Sequence, residues 1–100
     1  MNFGLSEESY KNVLSVFPCH PEIERVQIFG SRAIGNYQPH SDIDLVLFGD
    51  IDDALLAKIY SKLDELPLPY KFDIKVYSEI THLPLKEHID KFSKIIYLKK

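Results

Sequence analysis

Residues 29–48 read FGSRAIGNYQPHSDIDLVLF, and the order of elements within them organises the rest of the chain. Apolar, β-prone side chains fill most of the second half, which predicts a buried strand over Asp42–Phe48. Glycine, asparagine and proline interrupt Ser31–Ser41, which predicts a loop with at most one helical turn after Gly30. These residues therefore predict a strand end, a glycine-led loop and a second strand.

Helices and strands alternate on both sides of this loop. The predicted helices are one capped by Ser6 and ended by Pro18 and Pro21, one capped by Asp52 or Asp53 and ended by Pro67 and Pro69, and one over Leu83–Phe92. The predicted strands are Ile23–Phe29, Asp42–Phe48 and Phe72–Tyr77. Strict alternation in the first strand places Ile23 on the same face as Phe29. The apolar residues Ile95–Leu98 leave a last helical turn, an edge strand and an interface open. The order predicts an α/β fold of the α+β type, a small mixed β-sheet with helices packed on it.

The composition is that of an ordinary globular domain. The chain has 100 residues, of which 45% are hydrophobic and 27% charged, so we expect a single domain over residues 1–100. The net charge of −3 argues against sequence-independent DNA binding, which usually needs a basic protein. A single cysteine, no visible signal peptide and no membrane-spanning run predict a cytoplasmic protein.

Two carboxylates stand in an unusual place at the second strand. Asp42 and Asp44 are two residues apart, so both side chains point to the same face. Asp44 interrupts an apolar run, and burying a carboxylate without a partner is costly. Two such charges about 4 Å apart repel by roughly 4 kcal/mol at an effective dielectric constant of about 20. Protonation, a basic partner or a divalent cation would each relieve that repulsion.

A third carboxylate, Asp73, lies in the alternating strand Phe72–Tyr77. If this strand is a neighbour of Asp42–Phe48, the three carboxylates converge. Three anionic oxygens suit a hard cation such as Mg²⁺, and two such ions about 3.5–4 Å apart can hold the attacking and leaving oxygens of a phosphoryl transfer. Lys75 shares a face with Asp73, and its ammonium group is the competing way to neutralise that carboxylate.

The loop before the second strand has the complementary chemistry for phosphate. Gly30 lets the backbone approach a phosphate closely, and N–H groups at a helix start together with the Ser31 hydroxyl can donate to it. Arg32 is a candidate for a further phosphate contact, with a salt bridge to a nearby acid as the alternative. His40 is another candidate, with an exposed loop histidine as the alternative. We expect His88 on the surface of the last helix.

The sequence GSRAIGNYQPHSDID, residues 30–44, resembles the signature of the DNA polymerase β-like nucleotidyltransferase superfamily. With its flanking residues it is similar to the minimal nucleotidyltransferase (MNT) branch of that superfamily. Asp73 stands where the family places its third carboxylate. The resemblance covers residues 23–78 and departs from the family at Ile34, where arginine is common.

This resemblance implies a palm-like fold and a metal-dependent nucleotidyltransferase. Asp42, Asp44 and Asp73 would be the catalytic residues and the ligands of two Mg²⁺ ions. Gly30 and Ser31 would bind the β- and γ-phosphates of an NTP, with ATP as the expected nucleotide. The implied reaction is attack of an acceptor hydroxyl on the α-phosphorus, which releases pyrophosphate.

The chain is short for such an enzyme, because only one helix and a tail follow the third carboxylate. We therefore expect a partner or a second copy to complete the acceptor surface. The resemblance implies a small helical HEPN-type protein in a two-component or toxin–antitoxin module. The alternative function is a non-catalytic antitoxin-like module that masks its helical partner. An ordinary α/β domain with chance carboxylates is the third interpretation.

Overall fold

A computed structural model describes residues 2–100 of the chain. In chain order, its α-helices and strands are α1 (Glu7–Leu14), β1 (Ile23–Phe29), α2 (Ser31–Ile34), β2 (Ile43–Gly49), α3 (Asp53–Asp64), β3 (Phe72–Val76), α4 (Leu83–Phe92) and β4 (Lys94–Leu98). Two short 3₁₀ helices, Phe17–Cys19 and Tyr77–Glu79, follow α1 and β3. The predicted α+β order is confirmed, and the helical turn expected after Gly30 is present as α2. None of the helices among these residues has the length and apolar character needed to span a bilayer.

Two helices begin where the sequence predicts caps. The Ser6 side chain accepts a hydrogen bond from the Ser9 N–H at the start of α1, and Asp52 accepts one from the Leu55 N–H at the start of α3. Acidic residues in the first turn of both helices also lie at the positive end of the helix dipole. α3 ends at Asp64, so the chain leaves the helix before the prolines expected to stop it.

The sheet has four strands in the order β3-β2-β1-β4. β1 is antiparallel to both of its neighbours, whereas β2 and β3 are parallel. Parallel strands need a crossover, and α3 supplies it between β2 and β3. β4 lies at an edge, so the edge-strand interpretation of Ile95–Leu98 is confirmed. Ile95 and Leu98 remain 56% and 61% exposed there.

Apolar side chains cover both faces of the sheet. The larger core packs α1 and α3 against one face, and Val26 and Leu45 are among its fully buried members. On the other face, Phe29 and Val46 pack against Ile89 of α4. α4 therefore covers part of the face opposite to α1 and α3, and this second face carries the carboxylates described below.

One strand residue lies on the opposite face to the one predicted. Ile23 is buried in the larger core with Val26, whereas strict alternation placed it with Phe29. The pairing of β1 with β2 is irregular between Ile23 and Arg25, and such a bulge turns the residue before it to the other face. The prediction is wrong at Ile23 because alternation assumes an unbroken strand.

Candidate active site

Two of the candidate carboxylates, Asp44 and Asp73, lie on adjacent strands, and Asp42 comes directly before the first of these strands. β2 and β3 are parallel neighbours, and their register pairs Asp44 with Asp73. Asp44 and Asp73 therefore belong to the same face of the sheet. Asp42 lies just before β2 begins at Ile43, and its negative charge contributes to the raised pKa of Asp44. Val46, two residues beyond Asp44, packs against α4, which identifies this as the face that α4 partly covers. The strand adjacency on which their convergence depends is therefore confirmed.

The repulsion expected between these carboxylates is visible at Asp44. Burial of this half-buried side chain raises the pKa of Asp44 to about 6, and the negative charges of Asp73 and Asp42 contribute to that rise. Lys75 and Arg32 act in the opposite direction and lower the pKa. Asp44 is thus ionised near neutral pH only against an unfavourable local field.

Lys75 provides part of the neutralisation, as the sequence suggested it could. Its Nζ lies 3.4 Å from Oδ1 of Asp73, and the two side chains are 43% and 45% exposed. An ion pair this exposed contributes about 0–1 kcal/mol to stability, so little energy opposes its rearrangement. The pair competes with a cation for Asp73, but it does not remove the electrostatic cost at Asp44.

The donor set fits a hard divalent cation. Mg²⁺ prefers oxygen ligands and is usually held by one or two carboxylates together with substrate phosphates. Among residues 2–100, no group of three or more His, Cys, Asp or Glu side chains is arranged to hold a metal ion by itself. Substrate phosphates would therefore complete the coordination of an ion that Asp44 and its neighbours hold.

The Gly30 backbone lies against the Asp44 carboxylate. Gly30 has φ 74° and ψ −155°, a conformation that is essentially restricted to glycine. A Cβ atom added to Gly30 would overlap Oδ2 of Asp44. The glycine is therefore needed twice, once for its backbone conformation and once for the space that Asp44 occupies. Ser31 follows as the first residue of α2.

His88 contacts this loop from α4, and the sequence did not predict this contact. The Gly30 N–H donates a hydrogen bond to Nε2 of His88 over 3.1 Å. The imidazole is partly buried and packs near the rings of Phe29 and Phe92. The expected surface position of His88 is therefore wrong. One sequence signal does point to the observed position, because His88 follows Leu85 by three residues and precedes Phe92 by four, the spacing of one helix face.

A comparison with protein-family models matches residues 11–100 to the family described as Polymerase beta, Nucleotidyltransferase. The chain belongs to this family. The resemblance seen in residues 30–44 is confirmed, and membership makes the chain a nucleotidyltransferase, as that resemblance implied. The matched range includes the three carboxylates, the Gly30–Ser31 loop and His88.

Solved structures share the fold of this nucleotidyltransferase. A toxin–antitoxin structure with AMP-PNP superposes with a TM-score of 0.71 and 19% identity, covering 96% of this chain and 76% of that one. A tri-AMPylated Shewanella oneidensis HEPN toxin in complex with MNT antitoxin gives a TM-score of 0.70 and 14% identity, covering 95% and 74%. At these identities the likeness establishes a common architecture.

Arg32 holds the loop that leads to the carboxylates. Its guanidinium donates to the Ser41 carbonyl over 2.9 Å and 3.2 Å and to the Phe3 carbonyl over 2.9 Å. The side chain is 2% exposed, and its Cζ lies 4.9 Å from the centroid of the Tyr70 ring. Both sequence interpretations, a phosphate contact and a salt bridge, are therefore wrong. His40, by contrast, is exposed, which agrees with its interpretation as an exposed loop histidine.

Replacing Arg32 by lysine should destabilise the fold. Lysine keeps the charge but lacks the planar fork that serves two carbonyls at once. We expect Arg32→Lys to lower the free energy of unfolding by about 1.5–3 kcal/mol, measured by urea denaturation. Arg25→Lys is the matched control, because the Arg25 Cζ lies 4.0 Å from the Phe48 ring centroid and this contact should cost about 1 kcal/mol or less. Equal losses in both variants would contradict the assigned role.

Proposed function

We propose that the chain is a metal-dependent nucleotidyltransferase that transfers a nucleoside monophosphate from an NTP, with ATP as the first candidate, to an acceptor hydroxyl. The observation that carries this proposal is the register of Asp44 with Asp73 on one sheet face, with the Gly30 backbone in contact with Asp44. This register places carboxylates, which can bind a cation, next to a glycine–serine loop, which can bind phosphate. We further propose that residues 1–100 form one minimal nucleotidyltransferase domain.

The three carboxylates have distinct roles in this proposal. Asp42, Asp44 and Asp73 are the catalytic residues and would hold two Mg²⁺ ions. When bound, the ions would supply positive charge to the triphosphate and to the oxygens that attack and leave. Asp44 is half-buried, and this burial raises its pKa to about 6. Asp73, whose side chain is 45% exposed, is assigned to the acceptor side, where it would bind the catalytic metal and help to activate the attacking hydroxyl.

Gly30 and Ser31 are assigned to the β- and γ-phosphates. The Gly30 N–H is already used by His88, so Gly30 would contribute close approach of the backbone rather than a donor. Ser31 would contribute its hydroxyl and its backbone N–H, because the first amides of a helix have no acceptor within the helix. Transfer would then proceed by attack of the acceptor hydroxyl on the α-phosphorus, with pyrophosphate as the leaving group.

A HEPN-type protein is the proposed partner, and a second copy of the chain is the alternative. Within residues 2–100, α4 together with Tyr77 and Ile80 covers part of the carboxylate face, and the rest of that face would be available to an acceptor. The fold is shared with an MNT antitoxin in complex with an AMPylated HEPN toxin and with a toxin–antitoxin structure holding AMP-PNP. Together these observations support ATP as donor and a protein hydroxyl as acceptor.

A non-catalytic antitoxin-like module remains the second candidate. The ion pair between Lys75 and Asp73 favours it, because an ammonium group at a carboxylate is one way to stabilise the fold without a metal. This candidate predicts that the chain neutralises its partner by contact alone. It further predicts that carboxylate variants, such as Asp42→Asn combined with Asp44→Asn, still neutralise.

Labelled nucleotide distinguishes the two functions. The purified chain is incubated with α-labelled ATP, Mg²⁺ and a soluble extract from its source, and labelled species and released pyrophosphate are measured. The proposal expects a labelled product that requires Mg²⁺ and is lost in Asp44→Asn. Asp50→Asn is the matched control, since Asp50 is exposed and follows the opposite end of β2. Absence of label with each of the four NTPs would refute the enzyme and favour the binding module.

A further inference from the structure

The glycine of the proposed phosphate loop is tied to the last helix by a hydrogen bond between residues far apart in sequence. The Gly30 N–H donates to Nε2 of His88 over 3.1 Å, from β1–α2 to α4. We infer that His88 is a positioning residue for the nucleotide: it fixes the Gly30 peptide and thereby sets which groups of the loop face the phosphates. This inference rests on the proposed function and assigns a further residue to that site.

The surroundings of His88 indicate that the hydrogen bond fixes the ring. Because Nε2 accepts, the neutral imidazole carries its proton on Nδ1. Its ring centroid lies 6.3 Å from that of Phe29 and 5.4 Å from that of Phe92. On another side the imidazole borders a cavity of about 390 Å³, which Ala33, Ile34, Phe92 and Lys94 also line. Packing leaves that side open, so the bond to Gly30 is the directional contact that fixes Nε2.

The orientation of the Gly30 peptide needs a constraint from outside the residue. Glycine has no side chain to restrict its backbone, and Gly30 occupies a region with positive φ that other residues avoid. The same residue lies against the Asp44 carboxylate. A rotation of the peptide would therefore alter both the phosphate loop and the space beside Asp44. His88 opposes that rotation, because turning the peptide would leave a partly buried N–H without an acceptor.

Because of this hydrogen bond, Gly30 and Ser31 have different roles in the loop. The Gly30 N–H points to α4 and is not a phosphate donor, so the donors that remain for the nucleotide are those of Ser31. In the core, α4 covers part of the sheet through residues such as Ile89. Through His88 it also belongs to the nucleotide-binding site. His88 acts through Gly30 and needs no contact with the nucleotide itself.

The first test compares His88→Leu with His88→Gln. Leucine keeps an apolar volume but removes the acceptor, whereas the glutamine amide oxygen reaches about as far as Nε2. We expect His88→Leu to raise the dissociation constant for ATP with Mg²⁺ roughly tenfold, the effect of one lost hydrogen bond. His88→Gln should remain within about threefold of wild type, and saturating transfer rates should change little in either variant. His82→Leu, at an exposed histidine that precedes α4, is the control.

Amide hydrogen exchange at Gly30 in the nucleotide-free protein gives an independent readout. The Gly30 N–H should be protected in wild type and His88→Gln and should exchange about tenfold faster in His88→Leu. Equal ATP affinity in wild type and His88→Leu would overturn the inference, and so would a Gly30 amide that exchanges like an exposed loop in wild type. If wild type fails to bind ATP, the proposed function fails, while the exchange data still decide whether His88 holds the loop.

Discussion

Asp44→Asn is expected to lower nucleotide transfer by roughly a hundred- to a thousandfold, the usual effect of removing one preorganised electrostatic group. Asp44 is half-buried, pairs in register with Asp73 and contacts the Gly30 backbone, so it lies at the centre of the proposed site. The asparagine amide has a similar shape but carries no negative charge for a cation. The measurement is the initial rate of transfer from α-labelled ATP at saturating Mg²⁺, with Asp50→Asn measured in parallel.

The same substitution should stabilise the metal-free protein at alkaline pH. Burial and two neighbouring carboxylates raise the pKa of Asp44 to about 6 in the folded state, above its ordinary value of 3.8. The folded state therefore binds the proton more tightly than the unfolded state does. The resulting stability is complete below pH ~4 and is lost as the pH rises through about 6.

Asp44→Asn removes this pH dependence. At about pH 3, below both the folded value of about 6 and the ordinary value of 3.8, wild type and variant should unfold at similar denaturant concentrations, because Asp44 is mostly protonated in both states. At pH 8, with a chelator present, the variant should be more stable by about 1–2 kcal/mol, a value reduced from the full shift because the side chain is only half-buried. Mg²⁺ should then stabilise wild type and leave the variant unchanged. A variant that is less stable than wild type at pH 8 would contradict the electrostatic account of the site.

Local signals explain why much of the fold could be predicted. The cap at Ser6, the alternation over Phe72–Val76 and the helical spacing over Leu83–Phe92 each depend on neighbouring residues, and the structure has these elements. The parallel pairing of β2 with β3 was predicted only as a condition for a site, because sequence alone does not fix which strands are neighbours. Once the strands pair, the register brings Asp44 opposite Asp73.

The remaining features depend on contacts between distant residues. The bulge that turns Ile23 arises where β1 pairs with β2, and the residues of β1 alone do not predict it. Arg32 was interpreted through charge, but its acceptors are neutral backbone carbonyls that the fold brings to it. His88 reaches Gly30 across 58 positions of sequence. The contacts of Arg32 were missed because a hydrogen-bond acceptor can be a backbone carbonyl as easily as a carboxylate.

Gly30→Ala is expected to damage both the fold and the site. Gly30 has φ 74° and ψ −155°, where a residue with a side chain costs about 1–3 kcal/mol. The new methyl group would also overlap Oδ2 of Asp44. We therefore expect the free energy of unfolding to fall by about 1–3 kcal/mol and transfer to fall roughly a hundredfold. Urea denaturation and the labelled-ATP assay measure the two effects.

Gly35→Ala separates the two causes, because Gly35 also has a positive φ of 91° but has open space where a Cβ would be placed. This control should lose about 1–2 kcal/mol of stability and keep most of its transfer activity. The comparison controls for a positive φ at both ends of α2, although the conformation of Gly30 is the more restricted of the two. If Gly30→Ala, shown to be folded by circular dichroism, transfers nucleotide as well as Gly35→Ala does, then the close approach of Gly30 to Asp44 has no part in catalysis. If instead its activity falls while Gly35→Ala remains active, a positive φ in this loop is by itself excluded as the cause, and the result supports a requirement for the Gly30 conformation and the space beside the Asp44 carboxylate.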